Sequence, residues 1–363
     1  MFNPRRIGLV WGLGGLLLMA AGALLAAEPP TKGGYREALE RQQHLAEQKQ
    51  LSVIPGRPGI GDAPTWLFFT PEIRAVLSPP FWGDKAVAVS RSSNPKYADP
   101  LAPILDFHSQ LKSAGIELWI APVPAKVAVY PQQCVADGIL PSKERIDRSH
   151  EEFYRLLQTQ GVTVVDLTAP FREPKWDDGA WQSRLFCATD SHWSGAGVQL
   201  AAATFAPRIK TLDWYPSVAK TKFQTEPYAT EITGDLAKLL NEKNPVREKL
   251  ALTRVFHTVE GKSLPVADDP QSPILLLGDS HTLIFHDPTL YAEGCGLADH
   301  LAEQLGIRLD VIGVRGSGAN AARLNWRRRA EPLAGKKLVI WCFSMREFTE
   351  NTDGWRVIPM TKR

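Results

Sequence analysis

The sequence predicts an α/β domain of three layers, in which helices cover both faces of a mostly parallel sheet. Apolar strand-like runs alternate with helical runs along the 363 residues, an order that is typical of βα units. Residues 274–277 read Ile-Leu-Leu-Leu, and such a continuous apolar run fits a strand that is buried on both faces better than a half-exposed strand. The chain is also long enough to bury a large core.

The individual elements follow from the periodicity of the apolar residues. The predicted strands lie at residues 116–123, 162–167, 273–277, 309–314 and 338–343. The predicted helices lie at residues 151–160, 196–209 and 296–305. We find no internal repeat, and we expect residues 61–363 to form one domain.

The first 27 residues differ from the rest of the chain. Arg5 and Arg6 precede an uncharged run over residues 7–27, which has the length of a membrane-spanning helix. The run ends in Ala26-Ala27, which also resembles a cleavage site, so residues 1–27 are predicted to be a signal peptide or a signal anchor. Basic residues ahead of the run place the N-terminus in the cytoplasm and the remaining chain outside it.

Residues 28–60 are predicted to be a tether between this segment and the domain. They mix proline, glycine and charged residues. Tyr35 to Gln48 is predicted to be a polar helix between two Pro/Gly-rich stretches.

The composition excludes several classes of protein. With 44% hydrophobic and 22% charged residues the chain is an ordinary globular protein, and its net charge of +3 does not favour a nucleic-acid partner. We expect no cofactor and no metal, because neither a nucleotide-binding glycine motif nor a zinc-ligand spacing is present. The four cysteines are compatible with disulfides in an oxidising compartment, with three possible pairings: Cys134, Cys187, Cys295 and Cys342.

A buried strand that ends in Gly278-Asp279-Ser280 is the first candidate for a catalytic motif. The glycine breaks the strand and delivers the serine where a helix can begin, at the carboxyl edge of a parallel sheet, where open α/β folds bind their ligands. Backbone N–H groups after such a turn can stabilise an oxyanion. The motif is weak by itself, because Asp279 or Ser280 is about equally suited to cap the helix.

Asp190 and His192 are the candidate partners of that serine. A serine hydroxyl becomes a good nucleophile when an imidazole accepts its proton, and a carboxylate fixes the tautomer of that imidazole. Two residues apart on an extended segment, the two side chains project to the same side. Read alone, the segment fits equally well a capping aspartate and a histidine that packs on Trp193.

Together these residues resemble the alginate O-acetyltransferase family, which includes AlgJ and AlgX. The resemblance begins with Thr189-Asp190-Ser191-His192-Trp193, which is followed by Gly197 and later by Gly278-Asp279-Ser280. Further matches lie at residues 66–69, 81–83, 122–126, 130–131 and 234–236 and at Arg346. The order and number of these matches, over residues 60–350, make chance a poor explanation.

The resemblance implies an SGNH-hydrolase-like domain in which the Asp-x-His pair precedes the serine, as it does in this sequence. It implies that Ser280 forms an acetyl-enzyme, that His192 moves the proton and that Asp190 orients His192. The acceptor would be a hydroxyl of an exported polysaccharide. The implied partners are a membrane-bound O-acyltransferase that supplies acetyl groups and other exopolysaccharide export proteins, and the implied location is the periplasm beside the inner membrane.

Four further residues are predicted to contact the substrate. The Ser280 N–H is the natural first oxyanion donor, and Gly316 or Asn320 is a candidate for the second, although the glycines in this segment also suit a tight turn. Arg346 is predicted to bind the donor or the sugar, with a structural ion pair as the alternative. Trp193 is a candidate for stacking on a sugar, because it adjoins the proposed base.

Three readings of the function remain open at this point: an O-acetyltransferase, an esterase and a catalytically silent assembly protein. An esterase would use the same triad with water as the acceptor, and a catalytically silent assembly protein would keep the fold alone. A metal-dependent hydrolase is weaker, because Asp190 and His192 have no third ligand at a recognisable spacing. After Arg346 the sequence is too short for the carbohydrate-binding module of AlgX-like members, so we expect a layout closer to that of AlgJ, and the identity of the polymer stays open.

Overall fold

The computed structural model describes residues 34–59, 63–135, 145–173 and 183–360. In chain order the strands are β1 (Val53–Pro55), β2 (Leu67–Phe69), β3 (Glu117–Val123), β4 (Thr163–Val164), β5 (Gln224–Ile232), β6 (Glu248–Val259), β7 (Lys262–Pro265), β8 (Ile274–Gly278), β9 (Asp310–Gly313) and β10 (Leu338–Ser344). The longer helices are α1 (Tyr35–Gln48), α2 (Thr70–Leu77), α4 (Leu101–Ser113), α7 (Arg148–Thr159), α9 (Gly195–Ile209) and α12 (Leu297–Leu305). The shorter ones are α3 (Ala86–Val89), α5 (Lys126–Val129), α6 (Pro131–Cys134), α8 (Thr168–Phe171), α10 (Asp235–Leu239), α11 (Ser280–Leu283), α13 (Ala321–Arg327) and α14 (Glu347–Glu350).

A five-stranded parallel sheet in the order β4-β3-β10-β8-β9 forms the centre of the fold. Its middle strand, β10, places Trp341 beside Ile120 of β3 and Leu277 of β8. Successive residues of β10 enter two different cores, one on each face of the sheet: Ile340 joins one, and Trp341 joins the other. The strands are therefore buried on both faces, which confirms the predicted three-layer α/β architecture.

A three-stranded antiparallel sheet in the order β5-β6-β7 was not predicted. Most of β5 is exposed and its sequence is largely polar, so it lacks the apolar alternation by which a half-buried strand is detected. The neighbouring strand β6 buries alternate residues at its start, including Leu250 and Leu252. This sheet positions residues of the functional site, as described below.

The segment predicted to be a tether belongs to the folded domain. Helix α1 lies at the predicted residues, but Tyr35, Leu39 and Ala46 are buried in the core, and Ile54 of β1 packs there as well. The compact unit therefore begins at Gly34, and the prediction of a tether over residues 28–60 is wrong for this part. Helix α1 is polar overall, so the sequence did not reveal the narrow apolar stripe by which it packs on the core.

The predicted signal or anchor at residues 1–27 lies outside the described residues. Within the described parts of the chain, no helix has both the length and the apolar character needed to cross a membrane. The four cysteines are all described, and each is a buried free thiol rather than half of a disulfide. Burial raises the pKa of the Cys134, Cys187, Cys295 and Cys342 thiols, so they behave as apolar core side chains.

Candidate active site

The turn after β8 presents Ser280 at the carboxyl edge of the parallel sheet. Only glycine fits at position 278, because a Cβ there would lie 1.7 Å from the carbonyl oxygen of Cys342 on β10. Asp279 then caps α11 by accepting a hydrogen bond from the backbone N–H of His281 at 2.8 Å, and its other oxygen accepts from the N–H of Ser344 at 2.8 Å. The turn is thus fixed to β10, and Asp279 rather than Ser280 caps the helix.

The loop before α9 carries Asp190 and His192. A buried carboxylate from β6 anchors this loop, since Glu248 accepts hydrogen bonds from the backbone N–H groups of Ala188 and Thr189, each at 2.8 Å. Glu248 was not identified from the sequence, because it lies 60 residues from Ala188 on a strand that was not predicted.

The structure brings the three predicted catalytic residues together. His192 Nε2 lies 2.7 Å from Ser280 Oγ, and His192 Nδ1 lies 2.6 Å from Asp190 Oδ1. Asp190 is fully buried, while Ser280 and His192 keep small exposed fractions of 9% and 7%. This is the arrangement in which an imidazole accepts a serine proton and a carboxylate stabilises the resulting imidazolium.

Asp190 and His192 each stabilise the charged form of the other. Burial alone would lower the pKa of His192, but the Asp190 carboxylate and its hydrogen bond raise that pKa above the ordinary value. Burial likewise opposes ionisation of Asp190, yet His192 and the surrounding N–H donors hold the pKa of Asp190 well below its usual range. Asp190 therefore stays ionised, and His192 is a stronger base than a free imidazole.

Two residues that the sequence analysis missed complete the surroundings of Asp190. Its Oδ2 accepts hydrogen bonds from the Tyr291 hydroxyl at 2.7 Å and from the backbone N–H of Asp235 at 2.8 Å. The segment 234–236 was noticed only as part of the family resemblance. Tyr291 has a left-handed backbone (φ 75°) and no surrounding motif, so nothing local identified it.

Asp235 also supplies the third potential ligand that the metal hypothesis lacked. One ligand atom each of Asp190, His192 and Asp235 lies within 4.8 Å of the others. Both carboxylates are already occupied by donors, however: the Ser191 N–H and hydroxyl donate to Asp235 at 2.7 and 2.5 Å, and Asp190 accepts the bonds described above. These donors favour proton chemistry over metal binding at this cluster.

The predicted oxyanion donors differ in their suitability. Ser280 begins α11, and its N–H has no hydrogen-bond acceptor among the described residues, as expected for the first turn of a helix. Gly316 is exposed and has a φ of 73°. Asn320 is committed elsewhere, because its amide donates to the Gly354 carbonyl at 2.6 Å and its oxygen accepts from the Arg356 N–H at 3.1 Å. Asn320 therefore fixes the C-terminal segment.

Trp193 does not present a face to a sugar, so the prediction of a stacking role is wrong. The side chain is fully buried, with its ring perpendicular to that of His281 at 5.5 Å and tilted against Phe171 at 6.4 Å. Sugar stacking needs an exposed ring, whereas Trp193 fills the core behind the catalytic loop.

Arg346 makes the ion pair that was considered for it and also lines a cleft. Its Nη1 donates to Glu72 Oε1 at 2.8 Å and to Ser344 Oγ at 3.1 Å. The guanidinium also lies over the ring of Phe69 at 5.4 Å. Arg346 and Phe69 border a cleft of about 600 Å³ that Gly316 also lines. Arg346 and Gly316 are thus placed together, beside the residues that hold the Ser280 turn.

Comparison with protein families gives one match over most of the chain. A family described as the SGNH hydrolase-like domain of the acetyltransferase AlgX matches residues 61–345, which include Asp190, His192 and Ser280. The chain belongs to this family. It is accordingly an acetyltransferase, and the resemblance stated from its motifs is confirmed.

Curated relatives of the family extend the comparison. The probable alginate O-acetylase AlgJ of Azotobacter vinelandii is 24% identical over 364 residues, covering 93% of this chain and 84% of the relative. The protein of the same name from Pseudomonas syringae pv. tomato is 28% identical over 306 residues, covering 82% of this chain and 71% of the relative.

Two solved structures share the fold. The O-acetyltransferase domain of Pseudomonas putida AlgJ superposes with a TM-score of 0.58 at 21% identity, covering 83% of this chain and 94% of that one. Pseudomonas aeruginosa AlgX superposes with a TM-score of 0.56 at 16% identity, covering 81% of this chain and 62% of that one. The predicted SGNH-hydrolase-like fold is thereby confirmed.

Proposed function

We propose that this protein transfers acetyl groups to hydroxyls of an exported polysaccharide through an acetyl-enzyme on Ser280. The observation that carries the proposal is the unbroken chain of contacts from Ser280 Oγ through the His192 ring to Asp190, with distances of 2.7 and 2.6 Å. Membership of an acetyltransferase family and relatives named as alginate O-acetylases support the reaction and the class of acceptor.

The first half-reaction forms the acetyl-enzyme. Ser280 Oγ attacks the carbonyl carbon of the acetyl donor while His192 Nε2 takes the hydroxyl proton, and Asp190 stabilises the imidazolium. The Ser280 N–H, which has no acceptor among the described residues, would stabilise the oxyanion, with Gly316 as the candidate second donor. When the tetrahedral intermediate collapses, the bond between the acetyl group and the donor breaks, and the leaving group takes the proton from His192.

The second half-reaction repeats the same steps in reverse. A sugar hydroxyl gives its proton to His192 Nε2 and attacks the acetyl carbon, and the ester bond to Ser280 breaks. The Ser280 oxygen recovers the proton from His192, so the enzyme returns to its starting state. Arg346 would bind the donor or the sugar from the cleft that it lines with Gly316.

The proposal includes a location and partners. The basic residues before the apolar run at residues 7–27 support a periplasmic domain that is tethered to the inner membrane. A membrane-bound O-acyltransferase would supply the acetyl groups, and other exopolysaccharide export proteins would deliver the polymer. These partners follow from the family resemblance.

Mass spectrometry of the protein after incubation with an activated acetyl ester tests this function. We expect a single acetyl adduct on Ser280 that disappears when an acceptor oligosaccharide is added, with the acetyl group recovered on the sugar. The Ser280→Ala variant should form no adduct, while Ser191→Ala, in which a serine beside the triad is changed, should still form one. Release of acetate to water with no sugar modified would support an esterase instead, and no adduct on wild-type protein would support a silent scaffold.

A further inference from the structure

Lys126 is a buried cation that the proposed mechanism does not use. It begins α5, shortly after β3 ends, and its side chain is fully buried. From the sequence it was noticed only within the family match at residues 122–126. Burying an ammonium group is costly unless its donors and its charge find partners. The role of this lysine therefore depends on what surrounds its Nζ.

The ammonium group of Lys126 joins β2 to the loop of residues 188–194, which carries the Asp-x-His pair and which we call the catalytic loop. The Lys126 Nζ donates to the Leu67 carbonyl at 2.9 Å and to the Ala188 carbonyl at 3.2 Å. The Leu67 N–H donates to the same Ala188 carbonyl at 2.8 Å. Lys126 therefore holds the start of the backbone from which the catalytic pair projects.

Glu248 holds the other side of the same stretch of backbone. Its buried carboxylate accepts hydrogen bonds from the Ala188 and Thr189 N–H groups and from the Thr189 hydroxyl, each at 2.8 Å. A cation thus binds the Ala188 carbonyl, while an anion binds the N–H groups beside it. Hydrogen bonds with one charged partner are stronger than neutral ones, so Lys126 and Glu248 fix this backbone more firmly than two neutral side chains would.

The groups around Lys126 favour its ammonium form and keep it away from solvent. Burial lowers the pKa of Lys126, whereas Glu72 and Glu248 raise it, with further contributions from Cys187 and Asp190. The side chain is fully buried, and its Nζ is directed at two backbone carbonyls. Lys126 therefore cannot touch a substrate, and any effect that it has on the reaction must act through the catalytic loop.

We propose that Lys126 is a positioning residue for acetyl transfer, which holds the catalytic loop so that His192 reaches Ser280. The inference rests on the proposed function and adds a residue to it. Without the ammonium group the Ala188 carbonyl loses one of its two donors among the described residues, and the catalytic loop is held less firmly to β2. His192 Nε2 would then leave its 2.7 Å contact with Ser280 Oγ, and a displacement of about 1 Å at a reacting group lowers a rate about 100-fold.

The full-length Lys126→Met variant tests this role, since methionine is of similar length and donates no hydrogen bond. We expect kcat for the cleavage of an activated acetyl ester to fall about 100-fold while KM stays within about twofold of the wild type, because the base is displaced and the ester site is not. A wild-type kcat in the folded variant would overturn the proposal, and so would a rise in KM that accounts for the whole loss.

Lys336→Met is the matched control. Lys336 is also buried, and its Nζ donates to the carbonyls of Pro270 and Ser272 and pairs with Asp310, each at 2.8 Å. It precedes β10, at the amino-terminal edge of the parallel sheet and opposite the edge of Ser280. The control should lose thermal stability as the first variant does and keep the wild-type kcat. An equal fall in kcat in both variants would reflect a general loss of stability and overturn the proposal.

A double variant covers the case in which Lys126→Met does not fold. Adding Glu248→Gln removes one charge of each sign, so neither group of the pair is left buried without its counter-charge. We expect a folded protein that is still slow, because the Ala188 carbonyl lacks the ammonium donor. A double variant with the wild-type kcat would overturn the proposal.

Labelling of Ser280 by a phosphonofluoridate separates this proposal from the proposed function. Ser280 Oγ displaces fluoride from phosphorus while His192 takes the hydroxyl proton, so the labelling rate measures activation of the serine without acetyl transfer. If the wild type is labelled about 100-fold faster than Lys126→Met but is acetylated by no activated ester, the positioning role stands and the proposed acetyl chemistry is wrong. If the wild type and Lys126→Met are acetylated at the same rate, the acetyl chemistry stands and the positioning proposal is wrong.

Discussion

Tyr291 donates its hydroxyl to Asp190 Oδ2 at 2.7 Å, on the side of the carboxylate that faces away from His192. The same hydroxyl lies 3.2 Å from the Thr233 carbonyl, and the ring is partly buried. Since Asp190 Oδ1 is the atom that contacts the His192 ring, the bond to Oδ2 fixes the rotation of the carboxylate. We therefore expect Tyr291 to act as a positioning residue through Asp190.

The Tyr291→Phe variant tests this role. We expect kcat to fall about tenfold with little change in KM, because Asp190 Oδ2 loses one of the two hydrogen bonds that orient the carboxylate. The pKa of His192 should rise further, since Asp190 without this donor keeps more negative charge on Oδ1. A pH profile of the acetylation rate measures both effects. Tyr228→Phe on β5 is the control, and equal profiles for the two variants would show that Tyr291 has no positioning role.

The activity should depend on pH through His192. As the base, His192 must be neutral, and its pKa is raised above the ordinary value by Asp190 against the effect of burial. The rate of Ser280 acetylation should therefore fall as pH decreases through this raised pKa, at a higher pH than an unperturbed imidazole would give.

Asp190→Asn provides the comparison for that pH dependence. Removing the carboxylate charge should move the inflection to lower pH, and the rate should fall about 10⁴-fold, as for the aspartate of serine-protease triads. Stopped-flow measurement of acetyl-ester cleavage over a pH series would give both values. An inflection that stays in place would mean that Asp190 does not set the pKa of His192.

The stability of the fold should fall as pH rises from the ordinary glutamate pKa to about 8 because of Glu347. Burial raises the pKa of this carboxyl group to about 8, so the folded state binds a proton that the unfolded state has already lost. The stabilisation is complete below the ordinary glutamate pKa and is lost as pH rises through about 8. Urea unfolding of the wild type should therefore give a free energy that decreases over this range. Glu347→Gln should flatten the curve, and a slope of the same size in this variant would assign it to other groups.

The Gly278→Ala variant should lose both stability and activity. Its Cβ would lie 1.7 Å from the Cys342 carbonyl oxygen, so β8 and β10 would have to separate. We expect a loss of about 2 kcal/mol in the free energy of unfolding and a displaced Ser280. Thermal unfolding and acetyl-enzyme yield measure the two effects. Gly34→Ala is the control, because a Cβ there meets nothing within 4 Å.

The sequence predicted the features that are encoded locally. The strands of the parallel sheet are continuous apolar runs, and Asp190, His192 and Ser280 lie in local motifs. That the three residues meet in one site was expected from the family resemblance. Tyr291 and Glu248 contact the same loop from 101 and 60 residues away, and neither lies in a motif. Contacts of this kind depend on the path of the antiparallel sheet, whose polar β5 gave no periodic signal.

Trp193 and Asn320 show a second limit of prediction from sequence, which concerns the direction of a side chain. Their residue types suit substrate contacts, and their sequence positions are beside the site. Both side chains are buried and turned towards the protein interior instead. Trp193 lies against Phe171, and Asn320 donates to the Gly354 carbonyl. Sequence proximity to a catalytic residue does not indicate whether a side chain faces the substrate or the core.

Two different sheets hold the proposed catalytic residues, the parallel sheet on one side and the antiparallel sheet on the other. Ser280 is fixed to the parallel sheet through Gly278 and Asp279, whereas Glu248 of β6 holds the loop of Asp190 and His192. The segment after Tyr291 is tied to the same strand, because the Val255 N–H donates to the Gly294 carbonyl at 2.7 Å. A small shift of one sheet relative to the other would therefore lengthen the 2.7 Å contact between His192 and Ser280 while leaving Asp190 and its donors intact.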